Sequence, residues 1–92
     1  MVHQLVDTAA VLKRLNTVNG IHLIKQLDCD LIEITEEIIQ NWTDDYYNDE
    51  GDFGSSDFTY LLKDIIDTCI GNTGANLRTV FSPYLSVISK EV

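Results

Sequence analysis

Apolar side chains recur at steps of three and four residues through most of the chain, and this spacing places them on one face of an α-helix. The pattern divides the sequence into four stripes, which begin at Leu5, Ile24, Phe58 and Leu77. A chain of 92 residues can bury one core, so residues 1–92 are expected to form a single domain. The connections are short, which favours antiparallel neighbours. The sequence therefore predicts an all-α fold, a small antiparallel bundle of four to five helices with an acidic loop near residues 44–56.

The second stripe allows three interpretations, because Asp28 and Asp30 make its middle a weak point for a helix. One helix could run unbroken from about residue 21 to 43. A new helix could instead start after Asp30, which together with Glu33 fits a capping box. In the third alternative, residues 31–34 form a short strand before the helix begins.

Residues that favour helix ends mark the remaining boundaries. Gly20 and Gly71 are placed to end the first and third helices, because glycine tolerates the left-handed conformation found there. The start of the third helix is expected to be capped by Ser55, Ser56 or Asp57. In the last segment Ser82-Pro83 predicts a break or kink, since proline inside a helix costs roughly 3 kcal/mol.

The net charge of -9 is concentrated in the middle of the chain. Residues 28–62 hold eleven Asp and Glu and no Lys or Arg, whereas residues 1–27 sum to +2 and residues 63–92 to zero. Six of the eight aromatic residues lie in the same middle region. Because nucleic acids and anionic membranes are bound through basic surfaces, this charge balance argues against direct binding to either.

Signals for membrane insertion, secretion, catalysis and cofactor binding are weak. No apolar run approaches the roughly 20 residues of a membrane span, and the N-terminus lacks a signal-peptide pattern, so a cytoplasmic protein is expected. Cys29 and Cys69 are expected to be buried apolar residues, with a disulfide or a reactive thiol as the alternatives. His3 and His22 belong to no nucleophile signature, and residues 71–74 lack the spacing and the lysine of a phosphate loop. We therefore expect neither enzymatic activity nor a cofactor.

Residues 46–57 resemble the twelve-residue calcium loop of the EF-hand family. With Gly51 at the sixth loop position, the third, fifth, eighth and twelfth positions are Asn48, Glu50, Phe53 and Asp57. The sequence departs from the family pattern at position one, where Tyr46 has no carboxylate, and at position twelve, where Asp57 is shorter than the usual Glu. The resemblance implies a degenerate helix–loop–helix that binds calcium weakly or not at all, so no metal ligands are predicted.

The acidic middle region gives the strongest functional prediction. Carboxylates of the second segment are expected to lie opposite its apolar stripe, and those of the following loop continue the charge. A soluble face ordinarily mixes both signs, whereas this one excludes Lys and Arg and adds aromatic side chains typical of binding hot spots. The predicted partner-binding residues are Glu33, Glu36, Glu37, Asp44, Asp45, Tyr46, Tyr47, Asp49, Glu50, Asp52 and Phe53.

The predicted partner is a basic protein surface, such as the groove of a nucleic-acid-binding protein or complex, in which carboxylates would take the places of phosphates. In size and charge the chain is similar to phage-encoded antagonists of host nucleases, restriction systems and CRISPR complexes. Three alternatives stay open: a solvated acidic face that only maintains solubility, an EF-hand-like regulatory module, and a structural homodimer whose second copy covers an apolar face.

Overall fold

The spacing of apolar residues is realised as five helices in a computed structural model that describes residues 6–49 and 54–86. In chain order, the helices are α1 (Thr8–Leu15), α2 (Ile21–Lys25), α3 (Leu31–Asp49), α4 (Ser55–Thr73) and α5 (Ser82–Leu85). The described residues contain no strand. The predicted all-α bundle is therefore confirmed, and the strand alternative for residues 31–34 is wrong.

The two long helices, α3 and α4, form an antiparallel hairpin. Near one end, the indole Nε1 of Trp42 donates a hydrogen bond of 2.9 Å to Oδ2 of Asp64. Near the other end, Ile34 and Asn72 line the same groove. Moving eight residues back along α3 thus moves the contact eight residues forward along α4, as antiparallel packing requires.

A single cluster of buried side chains joins α1, α2, α3 and α4 to the segment before α5. Helix α4 contributes the most, because apolar side chains cover a wide stripe along its length. The cluster consists of Val11, Leu15, Val18, Ile21, Ile24, Ile38, Ile39, Leu61, Leu62, Ile65, Ile66, Cys69, Ile70 and Phe81. Burial of this apolar surface is the main force that holds the helices together.

The boundary between α2 and α3 lies where the capping residues predicted it. Oδ1 of Asp30 accepts a hydrogen bond of 3.0 Å from the backbone N–H of Glu33, which would otherwise have no partner in the first turn. Asp30 therefore starts a new helix, and the single helix over residues 21–43 is wrong.

The predicted loop near residues 44–56 is wrong over its first half, because α3 continues to Asp49. The composition of residues 44–49 is polar, but this stretch contains neither proline nor glycine to stop a helix. Two interactions one turn apart support the helix as it enters this region. The hydroxyl of Thr43 donates to the carbonyl of Ile39 at 2.7 Å, and the amide of Gln40 donates to Oδ1 of Asp44 at 3.0 Å.

Both ends of α4 differ in detail from the prediction. At the start, Gly54 occupies the cap position, and the Asp57 carboxylate accepts its backbone N–H at 3.0 Å. At the other end, the helix passes through Gly71 and stops at Gly74, which has the left-handed backbone at φ 71°. Gly71 as the terminator is therefore wrong by three residues.

The last segment breaks where proline predicted it. Pro83 lies in the first turn of α5, where its missing N–H removes no helical hydrogen bond. Just before it, the fully buried Phe81 packs near Gly20, whose φ is 88°. A Cβ atom on Gly20 would come within 2.9 Å of Cγ1 of Val80, so this turn requires glycine both for its backbone and for the close approach.

Candidate protein-binding surface

Four carboxylates form what we call the acidic face of α3: Glu33, Glu36, Glu37 and Asp44. All four side chains are exposed, whereas Thr35, Ile38 and Ile39 of the same helix are buried. Steps of three, one and seven residues keep the four acids on one side of a helix with 3.6 residues per turn. The structure thus brings these four predicted residues together, opposite the apolar stripe.

Four of the five described Lys and Arg side chains interact elsewhere. Lys63 and Arg78 both pair with Asp67 on α4, at 3.9 Å and 2.8 Å. Arg14 stacks 5.2 Å from the centre of the Phe58 ring, and Lys25 donates a hydrogen bond to the side chain of Asn16. Within residues 6–49 and 54–86, no ion pair therefore reaches the acidic face of α3.

A groove at the start of α3 extends the acidic face. It has a volume of about 280 Å³ and lies between the α2–α3 loop and the end of α4. Its lining residues are Asp28, Cys29, Asp30, Glu33, Ile34, Glu37 and Asn72. This volume falls just below the range typical of small-ligand sites, about 300–1,000 Å³, and four of the seven residues are acids. The groove is therefore better suited to a basic side chain of a protein than to a small apolar ligand.

Ile32 adds an apolar contact point to this surface. Its side chain is 57% exposed, although it lies one helical turn before Glu36. A protein interface commonly combines an apolar anchor with a polar rim. The sequence-based prediction missed Ile32, because helical periodicity places it in line with the buried Ile39 and its exposure follows only from packing.

The other predicted binding residues are placed differently. Asp45 is exposed, but it lies about 100° around the helix from Asp44 and outside the row of the acidic face. Tyr46, Tyr47 and Asp49 belong to the last turns of α3 by their backbone, and their side chains lie outside the described part of the structure. The predicted residues Glu50, Asp52 and Phe53 lie outside the described residues.

The helical backbone of residues 46–49 also corrects the calcium-loop resemblance. In that resemblance the loop begins at Tyr46, but residues 46–49 are the end of α3. Five residues separate α3 from α4, so a twelve-residue loop is not formed. Among the described residues, no group of three or more His, Cys, Asp or Glu side chains is arranged to hold a metal ion.

Cysteine and histidine often act as nucleophile and general base in enzymes, and here their side chains differ in accessibility. His22 is exposed on α2, and Cys69 is fully buried on α4. Burial raises the pKa of the Cys69 thiol to about 12, and the neighbouring Cys29 adds to this effect. Cys69 is consequently protonated at neutral pH, which makes it a weak nucleophile.

Comparisons with protein-family models, with curated proteins and with solved structures find no match to the chain. Among the described helices, none combines the length and the apolar character needed to cross a membrane.

Proposed function

We propose that the protein is a non-enzymatic, cytoplasmic binding protein that presents the acidic face of α3 to a basic protein surface. The observation that supports this most strongly is a row of exposed carboxylates that no described cation neutralises. Arg and Lys side chains of a partner would supply the missing charges through charge-assisted hydrogen bonds. The adjacent groove offers four carboxylates to one such side chain, and Ile32 supplies an apolar contact beside them.

The partner class we favour is a protein whose basic groove binds nucleic acid. From Glu33 to Asp44 the helix rises about 17 Å, so the four acids provide roughly one charge per 5 Å. A single DNA strand carries one charge per about 3.4 Å. The two charge densities are similar enough for a basic groove shaped to phosphates to accept this helix, which would make the protein a competitive inhibitor of nucleic-acid binding.

The same charge argues against a symmetric homodimer through this face. A second copy would place its own carboxylates against those of the first, and like charges across an interface cost several kcal/mol. The same carboxylates that repel a second copy attract a basic partner, so they favour binding to that partner over a homodimer through this face.

The experiment is affinity capture from a lysate of the native host with the tagged full chain as bait. We expect capture of a nucleic-acid-binding protein that releases its nucleic acid when the purified bait is added. Binding of the bait to this protein should weaken as the salt concentration rises. A bait in which Glu33, Glu36, Glu37 and Asp44 are all replaced by Lys should lose the partner while it keeps its helical circular-dichroism spectrum. Equal capture by this variant would refute the proposal.

A matched pair of single substitutions separates the acidic face from net charge. Glu37→Lys and Asp7→Lys change the charge equally, and both residues are exposed; Asp7 precedes α1 without a side-chain capping bond. We expect Glu37→Lys to weaken binding at least about tenfold and Asp7→Lys less than about twofold. A second pair tests the apolar contact: Ile32→Ser should weaken binding, whereas Val80→Ser, at the other large exposed apolar residue of the described chain, should not.

A further inference from the structure

The fold brings together the two cysteines, which stand forty positions apart in the sequence. Cys69 lies on the inner side of α4 with none of its surface exposed. Cys29 lies in the loop between α2 and α3, is half-buried, and packs against the same core cluster. The two side chains are near enough to each other for Cys29 to contribute to the raised pKa of the Cys69 thiol. Both are free thiols in the structure.

The groove at the start of α3 supports this placement independently. Cys29 lines the groove together with Asn72, which lies three residues after Cys69 and on the same side of α4. The groove opens Cys29 to solvent, while Cys69 lies behind it in the core. The pair is therefore asymmetric, with one thiol that a small reagent can reach and one that it cannot.

We propose that this pair is a redox site, in which a small neutral hydroperoxide oxidises Cys29 and Cys69 then closes an intramolecular disulfide. In the first step the Cys29 thiolate attacks one peroxide oxygen, the O–O bond breaks, and Cys29 becomes a sulfenic acid with release of hydroxide. In the second step the Cys69 thiol loses its proton and its sulfur attacks the Cys29 sulfur, which again releases hydroxide. Overall, two thiols and one hydrogen peroxide give one disulfide and two waters.

The surroundings of Cys29 select the class of oxidant. Four carboxylates share its groove, those of Asp28, Asp30, Glu33 and Glu37. They repel anions, so oxidised glutathione, which has a net negative charge and is much larger than the groove, is disfavoured. Hydrogen peroxide is neutral and small enough to enter.

The surroundings of Cys69 slow the second step. Its buried thiol is protonated at neutral pH, because its pKa is raised to about 12, so its attack on Cys29 is slower than that of an exposed thiol. The sulfenic acid on Cys29 is therefore expected to persist long enough to be trapped by a carbon nucleophile such as dimedone.

The disulfide would join the α2–α3 loop to α4 across a long segment that includes all of α3. Closing a loop of this length restricts the unfolded chain, so the oxidised protein should be more stable than the reduced one. We expect the unfolding temperature to rise by about 10 °C or more on oxidation and to return on reduction with dithiothreitol.

The test treats the purified full chain, at low concentration, with hydrogen peroxide or with oxidised glutathione. Peroxide should remove both free thiols, lower the mass by about 2 Da without dimer formation, and act at least about tenfold faster than oxidised glutathione. Peptide mapping should then recover residues 29 and 69 in one cross-linked pair. Two free thiols remaining after peroxide treatment, or cross-linked dimers as the main product, would overturn the proposal.

Single-cysteine variants test the assigned roles. Cys69→Ala should accumulate the dimedone adduct at Cys29, and Cys29→Ala should leave Cys69 unmodified in the folded protein. Dimedone labelling of Cys69 in the folded Cys29→Ala protein would refute the assignment of Cys29 as the first thiol to react. In the double variant Glu33→Gln/Glu37→Gln, the rate of thiol oxidation by peroxide should exceed the rate with oxidised glutathione by a smaller factor than in the native protein. An unchanged factor would show that these carboxylates do not determine which oxidant reacts.

Discussion

Helices α3 and α4 are each 19 residues long and pack against each other, yet they use their carboxylates in opposite ways. On α4 the carboxylates have partners inside the molecule. Asp57 accepts the backbone N–H at the start of the helix, Asp64 accepts the indole N–H of α3, and Asp67 pairs with two cations. The acids of α4 therefore contribute to the fold.

The acids of α3 whose side chains are described lie on the solvent side and have little part in holding the described structure. Asp44 accepts a hydrogen bond from a neighbouring glutamine of the same helix, and the remaining acids of the face have no described cation beside them. The comparison of the two helices shows that net charge alone does not indicate a binding surface. What distinguishes α3 is that its carboxylates are left available to another molecule.

The inner faces of the two helices, in contrast, should be equivalent. Ile39 on α3 and Ile65 on α4 are both fully buried in the same cluster. Each Ile→Ala substitution should lower the free energy of unfolding by about 3 kcal/mol, through lost apolar burial and the cavity left behind. Urea unfolding would measure both. A loss below about 1 kcal/mol at either site would show that the two helices do not share the core equally.

Elements defined by local chemistry could be predicted from the sequence, and elements defined by packing could not. The start of α3 was predictable because Asp30 and Glu33 interact within one turn. The end of α4 was not, because Gly71 and Gly74 both suit a helix end. Past Gly71 the helix is held by two hydrogen bonds: the hydroxyl of Thr73 donates to the carbonyl of Cys69 at 3.0 Å, and the backbone N–H of Gly74 donates to the carbonyl of Ile70 at 2.9 Å.

The candidate surface divides in the same way. The acidic face of α3 was predictable, because helical periodicity alone puts its members on one side. The groove was not, because Asn72 reaches it only through the antiparallel packing of α4 on α3. The pairing of Cys29 with Cys69 depends on the same packing, which no local pattern encodes.

Two threonines of α3 provide a smaller test of its inner face. Both Thr35 and Thr43 are fully buried, but the Thr43 hydroxyl donates a hydrogen bond, whereas among the described residues that of Thr35 is the one buried hydroxyl without a partner. Thr35→Val should raise the free energy of unfolding by about 1 kcal/mol, since it removes a buried polar atom at nearly constant volume. Thr43→Val should lower it by about 0.5 kcal/mol, because its bond to the Ile39 carbonyl is lost.

Chemical unfolding of the two threonine variants beside the native protein decides this prediction. The sign of the difference is the result that matters. If both substitutions destabilise the protein equally, the inner face of α3 contains no unsatisfied hydroxyl.

The smallest effects test the outer faces, where the two helices differ most. Asp67→Asn on α4 breaks two ion pairs at a carboxylate that is 36% exposed, and it should lower the free energy of unfolding by about 0.5 kcal/mol. Glu37→Gln on α3 should raise it by about 0.2–0.5 kcal/mol, because it removes a like charge one turn from Glu33. Both differences should shrink between about 0.1 M and about 1 M NaCl, as the screening length falls from about 10 Å to 3 Å. A destabilising Glu37→Gln would mean that the acidic face is already neutralised within the molecule, and it would remove the reason for assigning those carboxylates to a partner.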